Sequence, residues 1–344
     1  MNLRAGNLRT TAMGILPHTD VERALGLSLS LDIPFWPQLP RLHYHEDMYA
    51  QASEGFPGIL VDVEEERVTL NTGLFYEQLE SYVERSADPA NFALSPEYAA
   101  VYHRFLALGP ELGKYPAIRG QVTGPISFGL KVVDENLKPI IYNDDIRPIL
   151  YDFFRNKINA QYRELSAIHP QAFVWTDEPG LDLLFSSFTG YTGDRAKSDL
   201  AEMLAGVEGP RGVHLCGNPD WDFLLSTEMD ILSFDAYSNG HIFTRYAEQI
   251  GRFLEAGHLL SWGVIPTAIE DFAREQLESI VQRIEEMWDY LVGKGVDRDR
   301  ILHQGLLAPA KCCLMNPDKT VTVERTFDLL RQVSARLRDK YALT

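Results

Sequence analysis

RGVHLCGNPDW (Arg211–Trp221) is the stretch on which the reading of this chain turns. Gly212 to Cys216 has the apolar character of a strand, and it stops at Gly217-Asn218-Pro219, a cluster that ends regular structure. Residues i and i+2 of a strand face the same side, so His214 and Cys216 project together from its end. An imidazole and a thiolate side by side at a strand end are half of a zinc site. They can also be two buried residues with no further role.

The same unit recurs in both directions along the chain. Apolar, β-rich segments closed by Gly, Pro, Asn or Asp occur at TAMGILPHT (11–19), GILVDVEEE (58–66), AIRGQVTGP (117–125) and QAFVWTDEPG (171–180). GVHLCGNP (212–219) is the fifth, followed by ILSFDAYSNG (231–240), LLSWGVIPT (259–267) and ILHQGLLAP (301–309). Amphipathic stretches lie between them, such as DIRPILYDFFRNKINAQYRELSAI (145–168) and REQLESIVQRIEEMWDYLVGKG (274–295). Eight strands alternating with helices predict a (β/α)8 TIM barrel, with no Gly-x-Gly-x-x-Gly to suggest an open dinucleotide-binding sheet. The surplus residues fall before and after the second segment and read as N-terminal elaborations, including a hairpin around VDVEEERVTL. Residues 1–344 are expected to form this one domain.

Composition narrows the function classes. The chain has 344 residues, 45% hydrophobic and 24% charged, as in a soluble globular protein. Its net charge of −17 argues against nucleic acid as a partner, because phosphate neutralisation needs basic patches. No apolar run is long enough for a membrane span, and MNLRAGNLRT lacks the apolar core of a signal peptide. Three cysteines are too few for a disulfide framework and fit a reducing cytoplasm, where clustered Cys more often means metal or catalysis.

In a barrel of this kind the active site lies at the C-terminal ends of the strands. Those ends carry Pro17-His18-Thr19, Thr123-Gly124-Pro125, Asp177-Glu178-Pro179, His214 with Cys216, Asp235, Thr267 and Cys312-Cys313. A catalytic zinc takes three protein ligands and keeps one position open. His214, Cys216 and one of Cys312 or Cys313 can converge across the mouth, with Asp235 as a fourth ligand. Asp177 and Glu178 are adjacent, so one faces the interior and the other does not. Two readings stand for them: a carboxylate for a substrate ammonium, or a helix N-cap. Thr123 is a possible hydrogen-bond donor in what is equally a plain turn, and His18 could bind an anion or a proton.

With these residues in place, the chain resembles the C-terminal domain of cobalamin-independent methionine synthase, in the superfamily shared with uroporphyrinogen decarboxylase. The parallels are GILPHT, TGP, DEP and HLC in that order, then a cysteine after the last strand and a long helix. The resemblance implies a zinc site of His214, Cys216 and Cys312, with Asp235 where the family usually has Glu, and a zinc-bound thiol that accepts a methyl group. Met13, Ile15, Gln51, Thr123 and Asp177 are the candidate substrate-binding residues, and Asp177 and His18 the candidate catalytic ones.

The chain departs from the family pattern at several of these positions. Ile15 replaces a Ser, Ala50 stands where the family has an amino-group-binding Glu, with Gln51 beside it, and PAKCCL (309–314) carries one inserted residue. Cys312 rather than Cys313 keeps the family's Cys-x-Leu spacing. A single barrel resembles the short forms of the family, which implies methylcobalamin or a methylated corrinoid protein as donor and homocysteine as acceptor. A different thiol acceptor, or a decarboxylase like that for uroporphyrinogen, is the alternative. The decarboxylase would need an Arg-rich mouth, and Arg119 is the nearest arginine to the strand ends.

Overall fold

The computed structural model describes residues 6–185, 191, 193–311 and 316–343. Its centre is a curled, wholly parallel sheet in the order β1-β9-β8-β7-β6-β5-β4. The strands are β1 (Arg9–Thr10), β4 (Ile118–Thr123), β5 (Ala172–Asp177), β6 (Arg211–Leu215), β7 (Ile231–Phe234), β8 (Leu259–Ile265) and β9 (Gly305–Pro309). A separate antiparallel hairpin pairs β2 (Ile59–Asp62) with β3 (Arg67–Leu70).

An extended segment, 33–38, joins the two edges of the curled sheet. On one side Ile33 N donates to Thr10 O at 2.9 Å, and Gln38 N to Gly14 O at 2.7 Å. On the other, Arg119 N donates to Pro34 O at 2.9 Å, and Phe35 bridges Arg119 in parallel. The ring so formed, surrounded by helices, is a TIM-barrel-like (β/α)8 fold, as the alternation of segments predicts.

Two of the eight expected strands are displaced: β1, at Arg9–Thr10, lies just ahead of TAMGILPHT, and the second leaves the barrel altogether. GILVDVEEE does not enter the barrel. Its residues form the first arm of the hairpin, where they are only partly covered, and the acidic run Glu64 to Glu66 makes the turn. The hairpin itself is where the sequence places it. The second barrel position belongs to Ile33–Trp36, which the sequence disguises with Pro34 and Pro37. Proline has no N–H for a ladder, so the segment does not read as a strand.

Two apolar clusters hold the layers together. Met13, Ile33, Ala117, Phe173, Trp175, Ile231, Leu259, Leu306 and Ala308 pack as one cluster inside the barrel, while a much larger one lies between sheet and helices. The helix Ile146–Ile168 covers β4 and β5, and Val321–Lys340 covers β9 and β1. Among the described residues, no helix is long and apolar enough to cross a membrane. Above the apolar layer, register aligns Thr123, Asp177, His214, Ser233 and Ser261 across β4 to β8. This polar row is the candidate functional site.

Candidate functional site

The row is centred on His214, which is wholly buried on β6. Its Nδ1 lies 2.9 Å from Ser233 Oγ, and its Nε2 lies 3.3 Å from Cys216 Sγ. With the proton on Nδ1 donated to Ser233, the Nε2 lone pair is turned toward the thiol. A partner on the far nitrogen is how a metal-ligating imidazole is usually oriented. Zn–N and Zn–S bond lengths at a tetrahedral angle put N and S ~3.5 Å apart, close to the separation found here. The i, i+2 spacing thus does what the sequence predicts and brings the two side chains together.

The imidazole is also fixed by a row of flat groups. Phe35, the Arg119 guanidinium and the Trp175 indole follow one another, with Arg119 5.2 Å from the Phe35 centroid and 4.2 Å from that of Trp175. The Trp175 ring lies 6.0 Å from His214 with 15° between planes. Arg119 is fully buried and donates to Ala12 O, to Gly120 O and, at 3.4 Å, to Thr11 Oγ1. Burial pushes its guanidinium down to about 9, with Asp177 opposing the fall. Sequence reading placed Arg119 only as the nearest arginine and passed over Trp175 and Ser233. The signal for both was their position two residues before Asp177 and Asp235.

Three carboxylates stand near Cys216. Asp177 is buried, and its Oδ1 has no hydrogen-bond partner. Burial pushes its carboxyl up to about 6, moderated by His214 and Arg119. For His214, burial works against the charged form, but Cys216 and Asp177 outweigh it and hold the imidazole above its ordinary value. Asp235 accepts from Ser238 N at 2.8 Å through Oδ1, capping the helix Ala236–Phe243, and leaves Oδ2 buried without a partner. Its pKa is raised by burial and drawn back first by the hydrogen bonds of Ser238 and then by Lys311, the residue before Cys312. Asp182, which the sequence did not single out, lies so close to Gly217 that a Cβ there would overlap its carboxylate.

Glu178 has a different task from Asp177. It is fully buried and accepts from Ile126 N at 3.1 Å, Ser127 N at 2.8 Å and Ser127 Oγ at 2.6 Å. That caps the helix Pro125–Lys131, which follows the neighbouring strand β4. The N-cap role thus falls to Glu178, on the helix after β4 rather than at the turn that follows the pair. Glu178→Ala would leave three donors without their acceptor and should cost about 3 kcal/mol of stability. Chemical denaturation measures this; an undiminished midpoint would remove Glu178 from this role.

The remaining expected residues are dispersed. His18 is buried, with Nε2 3.2 Å from Glu324 Oε1, a carboxylate that Arg23 also holds; burial lowers its pKa. Among the described contacts, none links it to Asp177 or His214. Met13 sits in the barrel-interior cluster, and Ile15 bridges Gln38. Thr123 donates to Met48 O at 2.9 Å. Gln51 donates to Glu46 and accepts from Gln38, both at 2.9 Å. Cys312 and Cys313 lie outside the described residues. Among those described, no three His, Cys, Asp or Glu side chains are grouped so as to hold a metal ion.

No family model matches the chain, and no curated protein sequence matches it. Solved structures do match. A B12-independent methionine synthase from a Shewanella species, in complex with selenomethionine, aligns with a TM-score of 0.55 at 15% identity, over 97% of this chain and 99% of that one. A methyltransferase from Methanosarcina mazei aligns with a TM-score of 0.60 at 13% identity, over 97% and 94%. The fold is shared. At these identities the likeness is one of backbone architecture along nearly the full length of each chain.

Proposed function

We propose that this protein is a zinc-dependent thiol methyltransferase of the cytoplasm, resembling the short methionine synthases. In this reading it takes a methyl group from methylcobalamin, or from a methylated corrinoid protein, and gives it to homocysteine to form methionine. The observation that carries the reading is the His214–Cys216 pair, with the imidazole held by Ser233 and the two donor atoms 3.3 Å apart. The orphaned Oδ2 of Asp235 and the fold shared with two methyltransferase structures support it.

The His214–Cys216 pair fits two ligands of a zinc ion, an imidazole with its far nitrogen engaged and a soft thiolate, while the unbonded Oδ2 of Asp235 is a candidate third donor that the described residues do not group with them. His214, Cys216, Asp235 and Cys312 would hold it. Zinc held there supplies a Lewis acid that keeps the acceptor thiol ionised at neutral pH, where a thiol of pKa about 8.5 is mostly protonated. Asp177, whose carboxyl burial pushes up to about 6, keeps an unbonded Oδ1 that can receive the ammonium of an amino acid in a charge-assisted hydrogen bond. The row from Phe35 to His214 keeps the imidazole from turning. The acceptor sulfur forms its bond to the methyl carbon as the donor's bond to that carbon breaks, and the breaking pair stays with the corrinoid. Such a displacement needs mainly alignment and a dry mouth.

Two facts bear on the alternatives. Arg119 is fully buried among Phe35 and Trp175 and spends three of its five N–H groups on backbone carbonyls and Thr11, which counts against its serving a substrate carboxylate in a decarboxylase. Gln51 and Thr123 commit their polar atoms within the protein, which favours, as a second reading, an acceptor thiol other than homocysteine. Purified protein with methylcobalamin and homocysteine should yield methionine, whereas methyl-tetrahydrofolate should serve poorly. Methylation of another thiol but not of homocysteine would keep the transferase and discard the methionine assignment. Failure with every thiol, using free methylcobalamin and a methylated corrinoid protein, would discard both.

A further inference from the structure

The seam between the 33–38 segment and β4 is held by side-chain amides more than by a backbone ladder. Gln121 Nε2 donates to Trp36 O at 2.8 Å, Trp36 Nε1 to Gln161 Oε1 at 3.4 Å, and Gln161 Nε2 to Gln121 O at 3.2 Å. Within the seam is a cavity of about 10 Å³, lined by Gln38, Gln51, Gln121, Gln161, Thr123 and Lys157 among others. Three polar atoms of this lining have no hydrogen-bond partner: Lys157 Nζ, Gln38 Oε1 and Gln121 Oε1. Lys157 is 2% exposed, Gln38 3% and Gln121 1%, so surface solvent does not serve them.

The polarity of the cavity is set by bonds outside it. Gln121 keeps Oε1 as its unbonded atom, because its Nε2 is committed to the Trp36 carbonyl. Gln38 does the same, because its Nε2 donates to Gln51, whose own Nε2 donates to Glu46. The lining therefore offers two acceptors and one ammonium donor. A cation would be repelled by Lys157, and an anion would meet two carbonyl oxygens. The volume is about what one water needs.

We propose that this cavity is a binding site for one neutral, water-sized molecule, which accepts from Lys157 Nζ and donates to Gln38 Oε1 and Gln121 Oε1. Water has that complement of two donors and available lone pairs. Each of the three groups would otherwise be buried unsatisfied at a cost of about 1–3 kcal/mol or more. The bound water is a structural part of the barrel wall, tying the helix Ile146–Ile168 through Lys157 to both sides of the seam. Burial pushes the Lys157 ammonium down to about 8, so it is still mainly charged at neutral pH and can donate.

Crystals grown in bromide test the site directly. A single peak without bromide's anomalous signal, within hydrogen-bond distance of all three atoms, is expected. An empty cavity, or a bromide ion in it, overturns the proposal. In solution, oxygen-17 relaxation dispersion should count one fewer long-lived water in Lys157→Met than in the parent protein. An unchanged count in a folded variant overturns it as well. Should that variant fail to fold, the crystals of the parent protein decide alone.

Discussion

Replacing His214 or Cys216 by alanine is expected to lower zinc from about one ion per chain to almost none, and to abolish methyl transfer with it. A site of three or four ligands loses most of its affinity with any one, because the ion's binding free energy is shared among few bonds. His214 lies on β6 and the partly buried Cys216 directly follows the strand's end, and both alanine substitutions leave the backbone pairing of β6 in place. Metal analysis alongside circular dichroism separates a lost ligand from a lost structure. The late cysteines extend the same test. Adjacent residues point in different directions, so Cys312→Ser should impair binding more than Cys313→Ser. Stoichiometric zinc in both alanine variants would end the zinc reading.

The second large effect is expected at Gly212→Ala. A Cβ at this position would overlap Trp175 Cδ1 and stand 2.8 Å from Nε1. The indole has little room to retreat, since Arg119 lies 4.2 Å from its centroid and the His214 ring is stacked at 6.0 Å. Overpacking of a rigid interior typically costs about 1–3 kcal/mol, and the upper half of that range is expected here. Displacing the indole also shifts a zinc-ligand candidate, and disturbing such supports commonly weakens metal binding about 10–100-fold. Gly251→Ala is the control. It lies in the helix Ala247–Glu255 with its nearest neighbour 3.8 Å away, and should be neutral or slightly stabilising. Denaturant midpoints and chelator competition read the two effects. A Gly212→Ala protein as stable and as zinc-avid as the parent would show that the ring row is not rigid.

What the sequence disclosed was local in origin. The period of two in HLC is a property of any strand, so the approach of His214 and Cys216 was legible before the fold was known. The same alternation split Asp177 from Glu178 without saying which did what. That needed the helix after β4, whose N-terminus reaches Glu178 from another part of the chain. The expected eight strands became seven and one extended segment, because the hairpin arm has clean β periodicity and Ile33–Trp36 does not. Arg119, Trp175 and His214 come from three strands, and no periodicity within one segment reveals such a row. Asp182 is brought to Gly217 by a short 3-10 turn that carries no distinctive pattern.

The way the ring closes has a consequence for the order of assembly. From β4 to β9 each strand pairs with its successor, so those five pairings form across short crossovers. The N-terminal pieces behave differently. Arg9 pairs with Leu306, and Phe35 with Arg119, so each must wait for a partner far along the sequence. Contacts of large sequence separation pay their loop entropy before they gain stability, and so form late. Pulse-labelled hydrogen exchange during refolding should protect the β5–β7 amides first. The Thr11 amide, bonded to Leu307 O, and the Arg119 amide, bonded to Pro34 O, should follow. Simultaneous protection would mean that the barrel closes in one step. Otherwise the first forty or so residues act as a bolt, made at the start and driven home at the end.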